Sequence, residues 1–160
     1  MTIYFYKADE PYGCFSNFSP HPVVMDQLRW PTSEHYYQAQ KFVGTTDAQL
    51  GEVIRQATTP EAAAALGRDC SRIVRADWEQ VKCDVMYAVV RVKFQSHLEI
   101  QSLLLATGEQ LLIENSPTDF FWGCGRDHNG KNHLGQILMR VREECRVACN
   151  QEKAPLNRRL

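Results

Sequence analysis

The sequence has no long apolar run. Stretches such as Leu103-Leu-Leu-Ala106 fall far short of the roughly 20 residues that span a bilayer, so no membrane-spanning helix is expected. It has almost no net charge, with 18 Lys and Arg against 19 Asp and Glu. A chain so balanced does not coat nucleic acid or an anionic membrane by bulk charge, although a local basic pocket is allowed. It has no CxxC pair. Its 6 cysteines, at Cys14, Cys70, Cys83, Cys124, Cys145 and Cys149, are spread along the chain, and no Cys/His quartet has ligand spacing. Neither a zinc site nor a disulfide framework is therefore expected. The first ten residues, Met1-Thr-Ile-Tyr-Phe-Tyr-Lys-Ala-Asp-Glu10, lack a basic n-region and an apolar h-region. A cytoplasmic protein with free thiols is the expectation. No internal repeat, low-complexity tract or linker stands out.

What is present is ordinary globular composition: 160 residues, 44% hydrophobic and 23% charged. A chain of this length makes about one domain and buries roughly 70% of its unfolded surface. The spacing predicts a single domain over residues 1–150 and a frayed polar tail over 151–160. Residues 3–6 read as a strand. Val23-Val24 and residues 28–30 read as two more, turning at Asp26-Gln27. A helix starts at Thr32 or Ser33 and ends by Gly44, with Tyr36, Ala39 and Val43 on its core side. A short helix capped by Asp47 places Leu50, Val53, Ile54 and Ala57 on one face. Thr59-Pro60-Glu61 opens a helix that stops at Gly67. Asp77-x-x-Gln80 resembles a capping box before a long helix with Trp78, Val81, Val85, Ala88, Val89 and Val92 on one side. Residues 98–107 form a helix and 110–114 a strand. The last helix carries Leu134, Ile137, Leu138, Val141, Cys145 and Ala148 at a 3.6-residue period. The class is α+β, helix-rich, with a small β-sheet.

Three segments have the composition of a site. In Trp30-Pro-Thr-Ser-Glu-His-Tyr-Tyr-Gln-Ala-Gln-Lys-Phe42, a helix places Glu34, Gln38 and Lys41 on one stripe flanked by Trp30 and Tyr37. The stripe spans about 10 Å, the length of a nucleoside-sized ligand. Spacing alone leaves open a solvated face. In the segment from Ser116 to Gly135, Trp122 beside Gly123 offers a stacking face. Glycines 123, 125 and 130, with Arg126 and Lys131 ahead of the last helix, suit an anion. A polar surface loop is the other reading. Phe15-Ser-Asn-Phe18 reads as a pocket lip or as a structural loop. Arg68, Arg72 and Arg75 cluster between helices, either solvated or facing a phosphate. Cys145 reads as core.

Together these residues resemble the NADAR, or YbiA-like, family. The matching segments are Phe15-Ser-Asn-Phe18, Trp30 through Phe42, Leu66-Gly-Arg68, Trp78, Met86, Lys93-Phe94, Leu103 through Gly108, and Asp119 through Leu138. They span about residues 3–147. The resemblance implies a YbiA-like fold and an N-glycosidase. It would hydrolyse the C1′–N bond of the phosphoribosylaminopyrimidines early in riboflavin synthesis, giving ribose 5-phosphate and the free pyrimidine. Removal of ADP-ribose from guanine is the alternative activity, with nucleic acid a partner only as that modified substrate. A non-catalytic ADP-ribose or nucleotide sensor is the alternative without chemistry. Cys124, where a more polar residue is expected, and the His128-Asn129-Gly130 loop depart from the family pattern.

The roles follow from that resemblance and from the chemistry. Departure of the amine builds positive charge on C1′ and the ring oxygen, which a carboxylate stabilises while a donor protonates the nitrogen. Glu34 is assigned first as acid/base or charge stabiliser and Asp119 second. Lys41 offers a second route through a Schiff base at C1′, which requires a desolvated amine. Trp122 stacks the base, with Gly123 beside it, and Tyr37 and Gln38 line the site. Asn17 and Asn132 orient the sugar or base, and Arg68 and Lys131 hold the phosphate. No metal and no cofactor are expected, and a small molecule is the expected partner.

Overall fold

The computed structural model describes residues 1–153. The tail expected over 151–160 is therefore covered only in part. Its first three residues continue the last helix and the rest lies outside the described residues.

The chain opens with β1 (Thr2–Phe5), and a 3-10 turn (Gly13–Phe15) follows. β2 (Val23–Met25) and β3 (Leu28–Trp30) form an antiparallel hairpin, with Val23 opposite Trp30. Asp26 and Gln27 both have positive φ, 52° and 64°, as a two-residue hairpin turn of matching twist requires. Then come α1 (Ser33–Gln40), α2 (Leu50–Arg55), α3 (Pro60–Gly67), α4 (Trp78–Ser96) and α5 (Leu98–Ala106). β4 (Leu111–Glu114) and α6 (His133–Lys153) complete the described chain. β4 lies parallel to β1, Thr2 opposite Leu111 and Phe5 opposite Glu114. The expected small sheet is thus two separate two-stranded sheets. None of the described helices is long and apolar enough to cross a membrane.

α1 is the central element, packed against α2, α3, α4 and β3. Every residue from Ser33 to Ala39 is buried, so the helix has no solvent face at all. Its start is fixed twice. Thr32 Oγ1 accepts the His35 N–H at 3.3 Å and bonds His35 Nδ1 at 2.8 Å. His35 Nε2 meets the Ala57 carbonyl at 3.0 Å, which ties α1 to the end of α2. Burial holds His35 below its usual titration range. We expect Thr32→Val, which keeps the shape and loses both bonds, to cost about 1–3 kcal/mol in urea unfolding.

Several faces differ from the sequence expectation. Val43 and Val53 are exposed, because the chain turns out of helix after Gln40 and α2 is only six residues long. Asp77 does not cap α4 with its side chain, because its carboxylate binds Arg75 instead. The buried side of α4 is Trp78, Met86, Val89, Val90, Lys93 and Phe94. Lys93 is 1% exposed and donates to the Ser16 carbonyl at 2.8 Å and Ser19 Oγ at 2.7 Å. It pins the loop over 13–19 to the core, and Phe15 fills the space beneath. Burial pushes its amine down to about 7.

Candidate active site

Two cavities meet between α1, the loop after β1, the end of α3 and the segment after β4. The inner one is about 170 Å³ and includes Asn17, Glu34, Gln38, Lys41 and Trp122 in its wall. The outer one is about 890 Å³ and is lined by Tyr6, Lys7, Asp9, Glu61 and Thr118 among others. Ser16, Phe18, Arg68, Glu114 and Asp119 belong to both, so the two are one cleft.

The stripe on α1 forms the inner wall. Glu34 is 4% exposed and Gln38 2%, which rules out a solvated face. Gln38 Nε2 donates to Glu34 Oε1 at 2.6 Å, while Gln38 Oε1 is buried without a partner. Burial pushes the Glu34 carboxyl up, and the Gln38 amide, Arg68 and Lys41 oppose that rise. Lys41 donates to the Gly67 carbonyl at 3.1 Å, with its ammonium near the Tyr37 and Trp78 rings. Burial lowers its pKa, and Arg68 and Lys82 add to that while Glu34 opposes it. Tyr37 packs edge-on against Trp122, ring centroids 5.5 Å apart, and so fixes the indole at the cleft wall.

Close helix approach makes this arrangement possible. A Cβ at Gly67 would stand 2.1 Å from Gln38 Oε1 and 2.7 Å from Gln38 Cδ. Gly67→Ala should therefore push Gln38 off Glu34. We expect kcat/KM to fall about tenfold or more, equivalent to at least about 1.4 kcal/mol of transition-state stabilisation, with the fold retained by circular dichroism.

Asn17 lines the inner cavity, and its groups are engaged in the frame. Its Oδ1 accepts from Ser33 at 2.9 Å, its carbonyl accepts the Glu34 N–H at 3.2 Å, and its Nδ2 points to Met86 sulfur. Asp119 Oδ1 accepts the N–H groups of Phe121 at 2.9 Å and Trp122 at 2.7 Å. That bracket holds the turn carrying Trp122. Of the three clustered arginines, Arg72 pairs with Asp69 and Asp47, and Arg75 with Asp77. Arg68 has no ion-pair partner among the described residues and stands in the cleft wall.

Four of the expected residues are not in the lining of either cavity. Asn132 clamps β4 behind the cavity wall, its Oδ1 accepting the Glu114 N–H and its Nδ2 donating to the Leu112 carbonyl. Gly123 is a packing position, where a Cβ would meet the Glu114 carbonyl at 2.9 Å. Lys131 lies over the Phe121 ring, 5.8 Å from its centroid, and does not line the cleft. Trp30 packs on Tyr36 and donates to the Met25 carbonyl, on the far side of α1 from the stripe. The glycine loop makes no anion nest. The N–H groups of Lys131, Asn132, His133 and Leu134 donate to the carbonyls of Phe120, Gly123, Phe121 and Trp122. The free donors that usually attract an anion to a helix N-terminus are consumed there.

Sequence reasoning missed Glu114, Lys7 and Met86. The signal for Glu114 was a lone acid ending an apolar strand just before the Asn115-Ser-Pro117 turn. Its carboxyl is pushed up to about 8, first by burial and then by the nearby Asp119 and Glu34 charges.

The sequence model of the NADAR domain matches residues 4–146. An N-glycosidase of Nostoc punctiforme is 58% identical over 146 residues, covering 91% of this chain and 94% of that protein. The N-glycosidase YbiA of Escherichia coli is 46% identical over 145 residues, covering 91% and 89%. The chloroplastic riboflavin biosynthesis protein PYRR of Zea mays is 44% identical over 154 residues, but the match covers only 25% of that protein. The NMR structure of Escherichia coli YbiA superposes with a TM-score of 0.85 at 42% identity, over 99% of this chain and 91% of that one.

Proposed function

This chain belongs to the NADAR family, and on that premise we propose that it uses its cleft as an N-glycosidase on a phosphoribosylamino heterocycle. The observation that carries the reading is the buried line of Glu34, Gln38 and Lys41, facing Trp122 and Arg68 across one cavity. An acid, an amide, an amine, a stacking ring and an unpaired cation meet the needs of a ribosylated base bearing phosphate.

The heterocycle lies against Trp122. Arg68 holds the phosphate toward the outer chamber, and Lys7 takes the place that Lys131 was expected to fill. The ribose sits over α1. As the C1′–N bond stretches, positive charge grows on C1′ and the ring oxygen, and the Glu34 carboxylate stabilises it. Gln38 keeps that carboxylate aimed, and Asp119 holds Trp122 in place and adds negative charge to the wall. Water supplies the oxygen that ends on C1′, and the nitrogen leaves with the pyrimidine.

A second route is favoured by the enclosure of Lys41. Ribosylamines open to an imine, and the Lys41 amine can add at C1′ and expel the aminopyrimidine. The resulting Schiff base is then hydrolysed by water. Burial and the two neighbouring cations lower the Lys41 pKa, the direction this route needs.

The relative named for riboflavin biosynthesis points to a ribosylaminopyrimidine phosphate as substrate. The test sets that compound beside ADP-ribosylated guanosine and reads released base and sugar phosphate by mass spectrometry. We expect cleavage of the pyrimidine compound. Cleavage of the guanosine adduct alone would assign removal of ADP-ribose. Tight binding with neither compound cut would make the protein a sensor.

A further inference from the structure

Glu114 ends β4 on the wall shared by both cavities. Its backbone is fixed on both sides. The N–H donates to Asn132 Oδ1 at 2.9 Å, and the carbonyl accepts the Cys124 N–H at 2.9 Å. A rigid strand end thus aims a carboxyl group into the cleft. Oε2 of that carboxyl is buried and has no hydrogen-bond partner among the described residues. Leaving such an atom unpaired is costly, and folds tolerate it where a ligand or a reaction uses the group.

The two glutamates of the cleft differ in their partners. Burial pushes the Glu34 carboxyl up and Asp119 adds to that, while the Gln38 amide, Arg68 and Lys41 act for its anion. Glu114 is perturbed by Asp119 and Glu34, both carboxylates. The other charged groups of the cleft are Lys41 just after α1 in the inner cavity, Arg68 after α3 in both, and Glu61 on α3 with Lys7 and Asp9 after β1 in the outer one. Burial raises both carboxyl groups, but only Glu34 has an amide donor and cations acting for its anion, so Glu34 is the one suited to carry the charge and Glu114 the proton.

We propose that Glu114 is the proton donor to the leaving nitrogen, with Glu34 as the anionic partner. This rests on the N-glycosidase reading above. The Oε2–H bond breaks and its proton goes to the glycosidic nitrogen. The C1′–N electron pair leaves with that nitrogen. A water oxygen bonds to C1′, and its proton passes through Glu34 to solvent. Glu114 recovers a proton from solvent in the open outer cavity. The balance is one water consumed and one C–N bond cleaved.

Glu114→Gln keeps the shape and a hydrogen-bond donor but cannot surrender a proton. We expect kcat to drop about 10²- to 10⁴-fold with KM little changed. The native kcat/KM should fall as pH rises through about 8, the value to which burial and the neighbouring carboxylates push Glu114 in the free protein. That alkaline limb should vanish in the variant. A variant within threefold of native kcat, or one that is slow with the limb intact, overturns the donor role while the N-glycosidase reading stands. A native protein that cleaves no N-ribosyl substrate overturns the reading, and the donor role falls with it. Should Glu114→Gln fail to fold, carboxyl ¹³C titration of the native protein decides, with the Glu34→Gln protein used to assign the Glu34 signal. Glu114 still protonated at pH 7 supports the role, and its complete ionisation by pH 7 overturns it.

Discussion

Glu34→Gln is expected to leave a folded protein that breaks the C1′–N bond at least about 10²-fold more slowly. Glu34 is 4% exposed, and its Oε1 already accepts the Gln38 amide at 2.6 Å. An amide oxygen in the same place can keep that bond, so the frame survives. What disappears is a charge next to the carbon that turns positive. In an enclosed cavity that holds Trp122, Tyr37 and Met86 beside its polar groups, a buried charge is less screened than in water, and its removal weighs on the transition state more than on bound substrate. The loss should therefore appear in kcat, with KM little moved. The variant should be at least as stable as the native protein, because the desolvation cost of a buried carboxyl has been removed while the Gln38 bond is kept. Near-native kcat would refute the role of Glu34, and thermal unfolding would show whether a slow variant is merely damaged.

Lys41→Met should be comparably slow and should separate the two chemical routes. The methionine keeps the aliphatic stem against Tyr37 and Trp78 and discards the amine. Lys41 lies on the same face as Glu34, bonded to the Gly67 carbonyl, and burial holds its amine below the ordinary lysine range. With native enzyme, borohydride added during turnover should fix a ribose phosphate on Lys41, detectable as a mass increase on its peptide. The methionine variant should show none. A native enzyme that turns over without any adduct would exclude the imine route and leave cleavage to the carboxyl groups.

Much of the site was legible because α1 is short and its polar spacing is strict. Glu34, Gln38 and Lys41 fall on one stripe by geometry alone, and the caps at Thr32 and Thr59 follow from residue type. The burial of that stripe was not legible. A polar helix face is ordinarily solvated, and only the packing of α2, α3 and α4 around α1 turns it inward. Lys93 was hidden for a related reason. Periodicity sends lysine outward, whereas a buried ammonium with the Ser16 carbonyl and Ser19 Oγ as acceptors holds a loop. The glycine-rich segment misled because local sequence shows donors but not where they go. Lys131 and Asn132 follow Trp122 closely in the chain, yet only Trp122 lines the cleft. Glu114 entered the site through the parallel pairing of β1 with β4, a contact between the two ends of the fold.

The most direct measurement is a crystal structure of the Glu34→Gln protein bound to an intact ribosylaminopyrimidine phosphate. The expected complex has the pyrimidine against Trp122 and C1′ over the α1 stripe. The glycosidic nitrogen lies within hydrogen-bond reach of Glu114, and the phosphate meets Arg68. A ligand seated elsewhere, such as on the apolar groove between Val43 and Ile73, would contradict the assignment of the cleft. So would a ligand in the cleft with its C1′–N bond directed away from α1.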